Sequence, residues 1–206
     1  MNAMSEIARI GVVPVIRIED ANDAVPLAEA LKVGGVPVAE VTFRTASAEE
    51  SIRRIAEEVD DILLGAGTVL TVDQVERARM AGAKFIVSPG FDREIVLRCL
   101  ELGMDVLPGC ATPSEIMAAV KLGLKAVKFF PASVYGGLAG IKALSAAFPG
   151  LGFVPTGGVG AGNLADYLGF KPVIACGGSW MVNAKNPAET TRLCREARAI
   201  VQEIRG

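Results

Sequence analysis

The sequence predicts an α/β protein, a (β/α)8 TIM barrel that forms a single compact domain over residues 1–206. Short β-branched or apolar runs alternate with longer amphipathic runs, a pattern that indicates a parallel sheet with right-handed crossovers. Polar residues or glycines mark the ends of the predicted strands, where such barrels carry their functional groups. No G-x-G-x-x-G turn follows the first strand, which argues against the alternative, an open doubly wound sheet.

Eight strands and eight helices are expected in alternation. The apolar and β-branched runs predict strands at 11–18, 38–44, 62–69, 85–90, 105–111, 126–132, 152–159 and 173–179. The amphipathic runs predict helices at 21–32, 48–59, 72–81, 93–102, 113–122, 138–148, 164–168 and 187–204. No linker, low-complexity tract or charge block divides these elements, so we expect one domain.

Several predicted helices carry start and stop signals. A Ser or Thr followed three residues later by Glu or Gln is typical of a capping box, and this pattern begins at Ser47, Thr71 and Thr112. A glycine after a helix often adopts the left-handed conformation that ends it. The glycines in this position are Gly34, Gly82, Gly103 and Gly123.

The composition argues against several classes of function. Hydrophobic residues make up 51% of the chain, and the net charge is −2 without a basic stripe, so nucleic acid and membrane are not expected partners. No apolar run reaches the ~20 residues that cross a bilayer, and no secretory signal is recognisable. The four cysteines form no C-x-x-C pair and are interpreted as free thiols of a cytoplasmic protein.

The chain contains no histidine. Its absence removes the Ser-His and Cys-His nucleophile pairs and the usual imidazole ligands of catalytic zinc. Acid–base chemistry must therefore use carboxylates, lysine, tyrosine or water. We accordingly expect no metal site and no cofactor, and a small molecule as the substrate.

Lys128 lies inside the predicted apolar strand at 126–132, and no other lysine of the chain is placed in this way. Burial penalises an ammonium group because the charge loses its hydration. The neutral amine can attack a carbonyl and form a Schiff base, so Lys128 is a candidate nucleophile. The alternative is a lysine that reaches solvent from a strand end or pairs with a carboxylate.

Glu40, Thr42 and Arg44 alternate with apolar residues along one predicted strand and therefore share one face. If this face points inward, a carboxylate and a guanidinium group meet Lys128 in the barrel mouth. The alternative is a structural ion pair between Glu40 and Arg44 that closes the barrel.

Glycine pairs end the last two predicted strands, at 157–158 and 177–178, and Ser179 follows the second pair. Glycines allow backbone N–H groups to approach an oxyanion closely, and the Ser179 hydroxyl adds a donor. The loops after the seventh and eighth strands commonly hold phosphate in barrels of this kind. The pairs therefore favour a phosphate site, with tight turns as the alternative interpretation.

Six segments carry a closer resemblance to known proteins. They are 40–44 (EVTFR), 65–69 (GAGTV), 88–90 (SPG), 128–132 (KFFPA), 155–158 (PTGG) and 177–180 (GGSW). In this order they resemble the motifs of the bacterial 2-keto-3-deoxy-6-phosphogluconate (KDPG) and 4-hydroxy-2-oxoglutarate (KHG) aldolases, which are class I enzymes. The resemblance runs from about residue 11 to residue 180.

This resemblance implies a homotrimer in which Lys128 forms the Schiff base and Glu40 is the acid–base carboxylate. The substrate-binding residues that it implies are Arg17, Arg44, Thr68, Pro89 and Phe130, of which Arg17 matches the least uniform position. The phosphate-binding residues expected from the motifs are Gly157, Gly158, Gly178 and Ser179.

The expected activity is that of a lyase that cleaves KDPG to pyruvate and glyceraldehyde 3-phosphate, and also cleaves KHG to pyruvate and glyoxylate. Three alternatives remain open. They are an aldolase for the galactonate epimer, another phosphate-binding barrel enzyme such as an isomerase or decarboxylase, and a non-catalytic barrel that binds sugar acids.

Overall fold

Strands and helices alternate throughout residues 2–206, the part of the chain that this computed structural model describes; Met1 lies outside it. The strands are β1 Val12–Ile16, β2 Val38–Thr42, β3 Leu63–Gly67, β4 Phe85–Val87, β5 Asp105–Leu107, β6 Ala126–Phe129, β7 Gly152–Pro155 and β8 Cys176–Gly178. The helices are α1 Ala3–Ile10, α2 Ala24–Val33, α3 Ala48–Glu58, α4 Val72–Met80, α5 Arg93–Glu101, α6 Pro113–Lys121, α7 Gly137–Ala147, α8 Leu164–Leu168 and α9 Pro187–Arg205. A short 3₁₀ turn, Ala21–Asp23, precedes α2.

Six strands form one parallel sheet in the order β5-β4-β3-β2-β1-β8, and β6 pairs with β7. The first strand lies between β2 and β8, and the order contains no reversal point of the kind that defines a doubly wound sheet. Isolated parallel bridges join Gly109 to Lys128 and Thr156 to Gly177, one on each side of the β6–β7 pair. The α/β class is therefore confirmed as a single-domain fold built on a parallel sheet.

Each predicted strand contains an observed strand, but the observed strand ends one to four residues earlier. Most candidate site residues consequently lie in the loops that directly follow the strands. Glu40 and Lys128 are the charged candidates that lie within strands, in β2 and β6. Both strands are buried along their whole length. The carboxyl ends of the strands thus combine a rigid buried floor with loops that carry the remaining functional groups.

Helix α1 is absent from the predicted elements. Asn2 caps it by accepting a hydrogen bond from the backbone N–H of Ser5 at 2.9 Å, and Ile7 and Ile10 are buried. The backbone N–H of Ala3 also donates to the Asp105 carboxylate, which is distant in the sequence. A helix of this length is marginal alone, so these tertiary contacts stabilise it.

One of the three predicted capping boxes, at Thr112, is complete. Thr71 accepts a hydrogen bond from the backbone N–H of Gln74 at 3.2 Å, as a helix cap should. The predicted box at Ser47 is wrong. The Ser47 hydroxyl instead donates to the backbone carbonyl of Ile18 at 2.6 Å, so it ties α3 to the loop after β1.

The left-handed conformation predicted for Gly34 is also wrong. The φ angle of Gly34 is −75°, and the left-handed residue is Gly35 with φ +79°. A Cβ atom at position 34 would overlap the Cβ atom of Cys194, so Gly34 allows close packing of α2 on α9. The left-handed glycines predicted after three other helices are confirmed at Gly82, Gly103 and Gly123.

Apolar side chains of the strands and helices form one buried cluster, in which Phe85, Phe129 and Phe153 are among the largest fully buried residues. All four cysteines are free thiols within this core. Among the helices of residues 2–206, none is both long enough and apolar enough to span a membrane.

The buried thiols should be unreactive in the folded protein. Burial raises the pKa of Cys99, Cys110, Cys176 and Cys194 to about 12. Because the thiolate is the reactive form, we expect an aromatic disulfide reagent at mildly alkaline pH to label the native protein very slowly. The same protein in guanidinium chloride should react at all four sites, as measured by absorbance of the released thiolate. Fast labelling of the native protein would contradict this assignment.

Candidate active site

The candidate site is centred on a buried ion pair between β2 and β6. The Lys128 Nζ atom lies 3.2 Å from the Oε1 atom of Glu40, and the residues are 5% and 3% exposed. Their neighbours along the strands, among them Val41 and Val127, are fully buried apolar residues. Two charges removed from water in this way stabilise each other, and loss of either leaves an unpaired buried charge.

Lys128 is held by backbone contacts on one side and an aromatic ring on the other. The backbone N–H of Lys128 donates to the carbonyl of Pro108 at 2.9 Å, and its backbone carbonyl accepts from the N–H of Cys110 at 2.8 Å. The Nζ atom lies 5.2 Å from the centroid of the Phe130 ring, within range of a cation–π interaction. The backbone of Lys128 is therefore held in place, and its amine has two stabilising neighbours, Glu40 and Phe130.

Thr42 orients Arg44 at the mouth of the site. The Arg44 Nε atom donates to Thr42 Oγ1 at 3.0 Å, and Thr42 Oγ1 donates to the carbonyl of Ile16 at 2.8 Å. This bond uses Nε, so the two terminal nitrogens of Arg44 can still form a bidentate pair with a carboxylate. Within residues 2–206, the ion-pair partner of Glu40 is Lys128 and not Arg44. The alternative prediction, a structural ion pair between Glu40 and Arg44, is therefore wrong.

A cavity of about 190 Å³ lies at the carboxyl ends of the strands. Six of the predicted site residues line it, namely Arg44, Phe130, Gly157, Gly158, Gly178 and Ser179. Val15, Thr156 and Val159 complete the lining. The fold thus brings the guanidinium group, the aromatic ring and glycines of both pairs to a single concave surface.

Gly157 and Gly158 form a loop whose backbone only glycine adopts readily, with φ angles of +90° and +80°. The Asn163 side chain holds this loop. Its Nδ2 atom donates to the carbonyl of Gly158 at 2.9 Å, and its Oδ1 atom accepts from the N–H of Gly160 at 2.9 Å. Backbone amides arranged in such a turn are typical of anion sites. Asn163 was not predicted, although it closely follows the glycine-rich run.

The second glycine pair has a different physical basis. Gly177 and Gly178 lie outside the left-handed region, so tight turns do not explain them. A Cβ atom at Gly177 would overlap Oγ1 of Thr156, and one at Gly178 would overlap the Trp180 ring. Thr156, which is 6% exposed and lines the cavity, was missed by the sequence analysis. Its signal was a polar residue directly before the first glycine pair.

Five predicted residues lie outside the cavity lining, namely the buried pair of Glu40 and Lys128 and three others. Arg17 is exposed and pairs with Glu19 at 2.7 Å. Thr68 follows β3 with a φ angle of +54°, which is unusual for a β-branched residue. Pro89 follows β4. Its carbonyl lies so close to Gly109 that a Cβ atom at position 109 would overlap the carbonyl oxygen. Because Gly109 bridges to Lys128, Pro89 lies next to the segment that holds the amine.

The arrangement suits chemistry on a carbonyl compound that carries negative charge. It combines a buried primary amine, an adjacent carboxylate, a guanidinium group and a glycine-rich loop. Every buried side-chain nitrogen or oxygen atom of residues 2–206 has a hydrogen-bond partner. Within the same residues, no three Cys, Asp or Glu side chains cluster closely enough to hold a metal ion.

Known proteins share both the sequence and the fold. The family model described as "KDPG and KHG aldolase" matches residues 4–194. A 2-dehydro-3-deoxy-phosphogluconate aldolase of Treponema pallidum is 51% identical over 180 residues, which cover 87% of this chain and 86% of that protein. A KHG/KDPG aldolase of Escherichia coli K12 is 43% identical, with 90% of each chain covered.

A solved structure extends the likeness to three dimensions. The KDPG aldolase of Legionella pneumophila, with pyruvate captured at low pH as a covalent carbinolamine intermediate, superposes with a TM-score of 0.92. It is 39% identical, and the match covers 96% of this chain and 98% of that one. From the family match over residues 4–194 and these identities, we conclude that the chain belongs to the KDPG and KHG aldolase family.

Proposed function

We propose that this protein is a class I aldolase, a lyase that cleaves KDPG to pyruvate and glyceraldehyde 3-phosphate and also cleaves KHG to pyruvate and glyoxylate. The observation that carries the proposal is the buried Lys128–Glu40 pair at 3.2 Å, in a chain of the KDPG and KHG aldolase family. A lysine amine beside a carboxylate can form a Schiff base and move the protons that this chemistry requires.

In the first stage, the neutral amine of Lys128 attacks the C2 ketone of the substrate. The amine becomes neutral by giving a proton to Glu40, and Glu40 passes this proton to the ketone oxygen as the new N–C bond forms a carbinolamine. Glu40 accepts a proton from the attacking nitrogen and returns it to the hydroxyl group, which leaves as water and gives the iminium. No metal is required, because the iminium itself polarises the substrate.

In the second stage, the iminium is an electron sink for cleavage of the C3–C4 bond. Glu40 accepts the proton of the C4 hydroxyl, with water as a relay, and the aldehyde forms at C4. The electrons of the broken bond pass into the enamine of the lysine-bound pyruvyl group. Protonation at C3 and hydrolysis of the iminium then release pyruvate and regenerate Lys128.

The binding groups divide the substrate into two ends. Arg44 holds the pyruvyl carboxylate, and Thr68, Pro89 and Phe130 surround the pyruvyl group. The phosphate is bound by backbone N–H groups of the glycine loops and by the hydroxyl of Ser179. The residues of this phosphate site are Gly157, Gly158, Gly178 and Ser179. Arg17, which is exposed beyond the end of β1, is a further substrate contact.

The fold and assembly complete the proposal. The bridges on both sides of the β6–β7 pair support closure of the eight strands into a (β/α)8 barrel over one domain at 1–206. The family resemblance supports a homotrimer, whose mass by light scattering would be three times the 21.5 kDa of the chain. The buried free thiols support action in the reducing cytoplasm.

Turnover is tested by a coupled assay for pyruvate release from KDPG. We expect robust release that a chelator leaves unchanged, because no step uses a metal. An isomerase or decarboxylase would release no pyruvate and leave no adduct that borohydride can trap. A non-catalytic sensor would show ligand-dependent melting shifts without turnover. If the chelator abolished activity and a divalent metal restored it, the metal-free mechanism would be contradicted.

The roles of the ion pair can be separated by trapping with borohydride and pyruvate. Lys128→Ala should abolish the covalent adduct, as measured by intact-protein mass and peptide mapping. Glu40→Gln should still accumulate adduct but lose about 10²–10⁴-fold in turnover, the usual contribution of a positioned acid–base group. Lys125→Ala is the matched control, because Lys125 is exposed just before the same strand, and it should retain full trapping.

Folding of each variant is checked by circular dichroism, because breaking a buried pair also destabilises the protein. An adduct that persists in Lys128→Ala would refute the assigned nucleophile. Equal loss of trapping and turnover in Glu40→Gln would make Glu40 a structural partner of the lysine.

Phosphate recognition is tested by comparing kcat/KM for KDPG, its C4 epimer and the non-phosphorylated acid. A charge-assisted hydrogen bond contributes roughly 1.5–3 kcal/mol, so several together predict an approximately 10²–10⁴-fold preference for the phosphorylated substrate. Ser179→Ala should reduce this preference, whereas Ser145→Ala, at a partly buried position of α7 outside the cavity lining, should not. Equal values with and without phosphate would refute the site, and a higher value for the epimer would favour the galactonate series.

A further inference from the structure

Gly67, the last residue of β3, lies against the side chain of Glu40. In the pairing of β2 with β3, Glu40 is opposite Gly65 and Thr42 is opposite Gly67. A Cβ atom at Gly67 would overlap Oε1 of Glu40 and lie 2.6 Å from its Cγ atom and 2.8 Å from its Cδ atom. The Glu40 carboxylate therefore occupies the volume that the side chain of any other residue at position 67 would fill.

Backbone conformation does not explain this glycine. Gly67 is not among the residues with positive φ, so an alanine could adopt its backbone without strain. The three nearest atoms to the added Cβ all belong to Glu40. The absence of a side chain at position 67 therefore leaves space for the Glu40 carboxylate.

The neighbouring glycine of the same strand has a different role. A Cβ atom at Gly65 would overlap the ring of Phe85, which is fully buried in the core. Gly65 therefore permits core packing, and its substitution would disturb the fold. At Gly67 the three nearest atoms all belong to the side chain of Glu40, so the fold can adjust by moving Glu40 alone.

We propose that Gly67 is a positioning residue, which leaves open the space in which the Glu40 carboxylate reaches Lys128. The Glu40 atom that the added Cβ would overlap, Oε1, is the same atom that lies 3.2 Å from Lys128 Nζ. A methyl group at position 67 displaces this oxygen and separates the pair. The inference rests on the proposed acid–base role of Glu40 and extends it to a residue without a side chain.

The first test is the kinetics of Gly67→Ala. We expect kcat to fall about 10²–10⁴-fold, the same range as loss of the acid–base group itself. KM should change little, because Arg44 and the phosphate loops are not displaced. The melting temperature should also fall, because separating the buried pair destabilises the protein, and the control variant below distinguishes this loss of stability from the loss of kcat. Wild-type kcat in Gly67→Ala would overturn the proposal.

Gly152→Ala is the matched control for destabilisation alone. Gly152 begins β7 at the opposite end of the strands, and an added Cβ atom would lie 2.9 Å from Cγ2 of Ile174. This variant should lose stability and keep its kcat. A fall in kcat equal to that of Gly67→Ala would mean that added methyl groups reduce activity through stability, which would overturn the proposal.

A double-mutant cycle separates positioning from other effects. In a Glu40→Ala background, the three atoms that the added methyl group would meet are gone. Gly67→Ala should therefore cause no further loss of kcat in this background. A further loss as large as in the wild-type background would show that Gly67 acts independently of Glu40 and would overturn the proposal.

A crystal structure of Gly67→Ala gives a readout that does not depend on activity. We expect neither carboxylate oxygen of Glu40 to remain within hydrogen-bond distance of Lys128 Nζ. A retained bond would overturn the inference even if the variant were inactive. If the wild type released no pyruvate, the proposed function would fail, and this distance would still decide whether Gly67 positions Glu40.

Discussion

Burial of the Lys128–Glu40 pair is the physical constraint on which the arrangement of the surrounding residues depends. Each charge loses several kcal/mol of hydration on burial, and only close pairing and hydrogen bonding offset that cost. The structure meets this requirement with a fixed backbone around Lys128, an aromatic ring beside its amine and an empty position at Gly67. Removing one partner would leave an unpaired buried charge, which typically destabilises a protein by about 3–5 kcal/mol.

The glycines of the site serve different physical needs. Gly157 and Gly158 provide a loop with a left-handed backbone, and the Asn163 side chain fixes that loop. Gly177 and Gly67 have ordinary backbone angles and make room for the side chains of Thr156 and Glu40. The first kind acts through the backbone and the second through an unfilled volume, so alanine would strain one and crowd the other.

Local patterns were sufficient to predict the strand–helix alternation and the grouping of most candidate residues near the strand ends, because periodicity and flanking residues carry that information. Features set by distant contacts were missed or wrong. Helix α1 depends on Asp105, and the hydroxyl of Ser47 is diverted to Ile18. Likewise, Lys128 was a candidate from its own strand, but the role of Gly67 follows only from a distance across two paired strands.

Thr68 has a consequence for the evolution and engineering of this protein. A β-branched residue with a φ angle of +54° is strained, at a cost on the order of 1–3 kcal/mol, and it persists only where its surroundings impose it. Glycine would relieve that strain but would remove the hydroxyl and methyl groups beside the site. Because Thr68 is proposed to contact the pyruvyl group, thermostability and catalysis would be opposing selection pressures at this position, and a search for stabilising substitutions would favour a change that removes this contact.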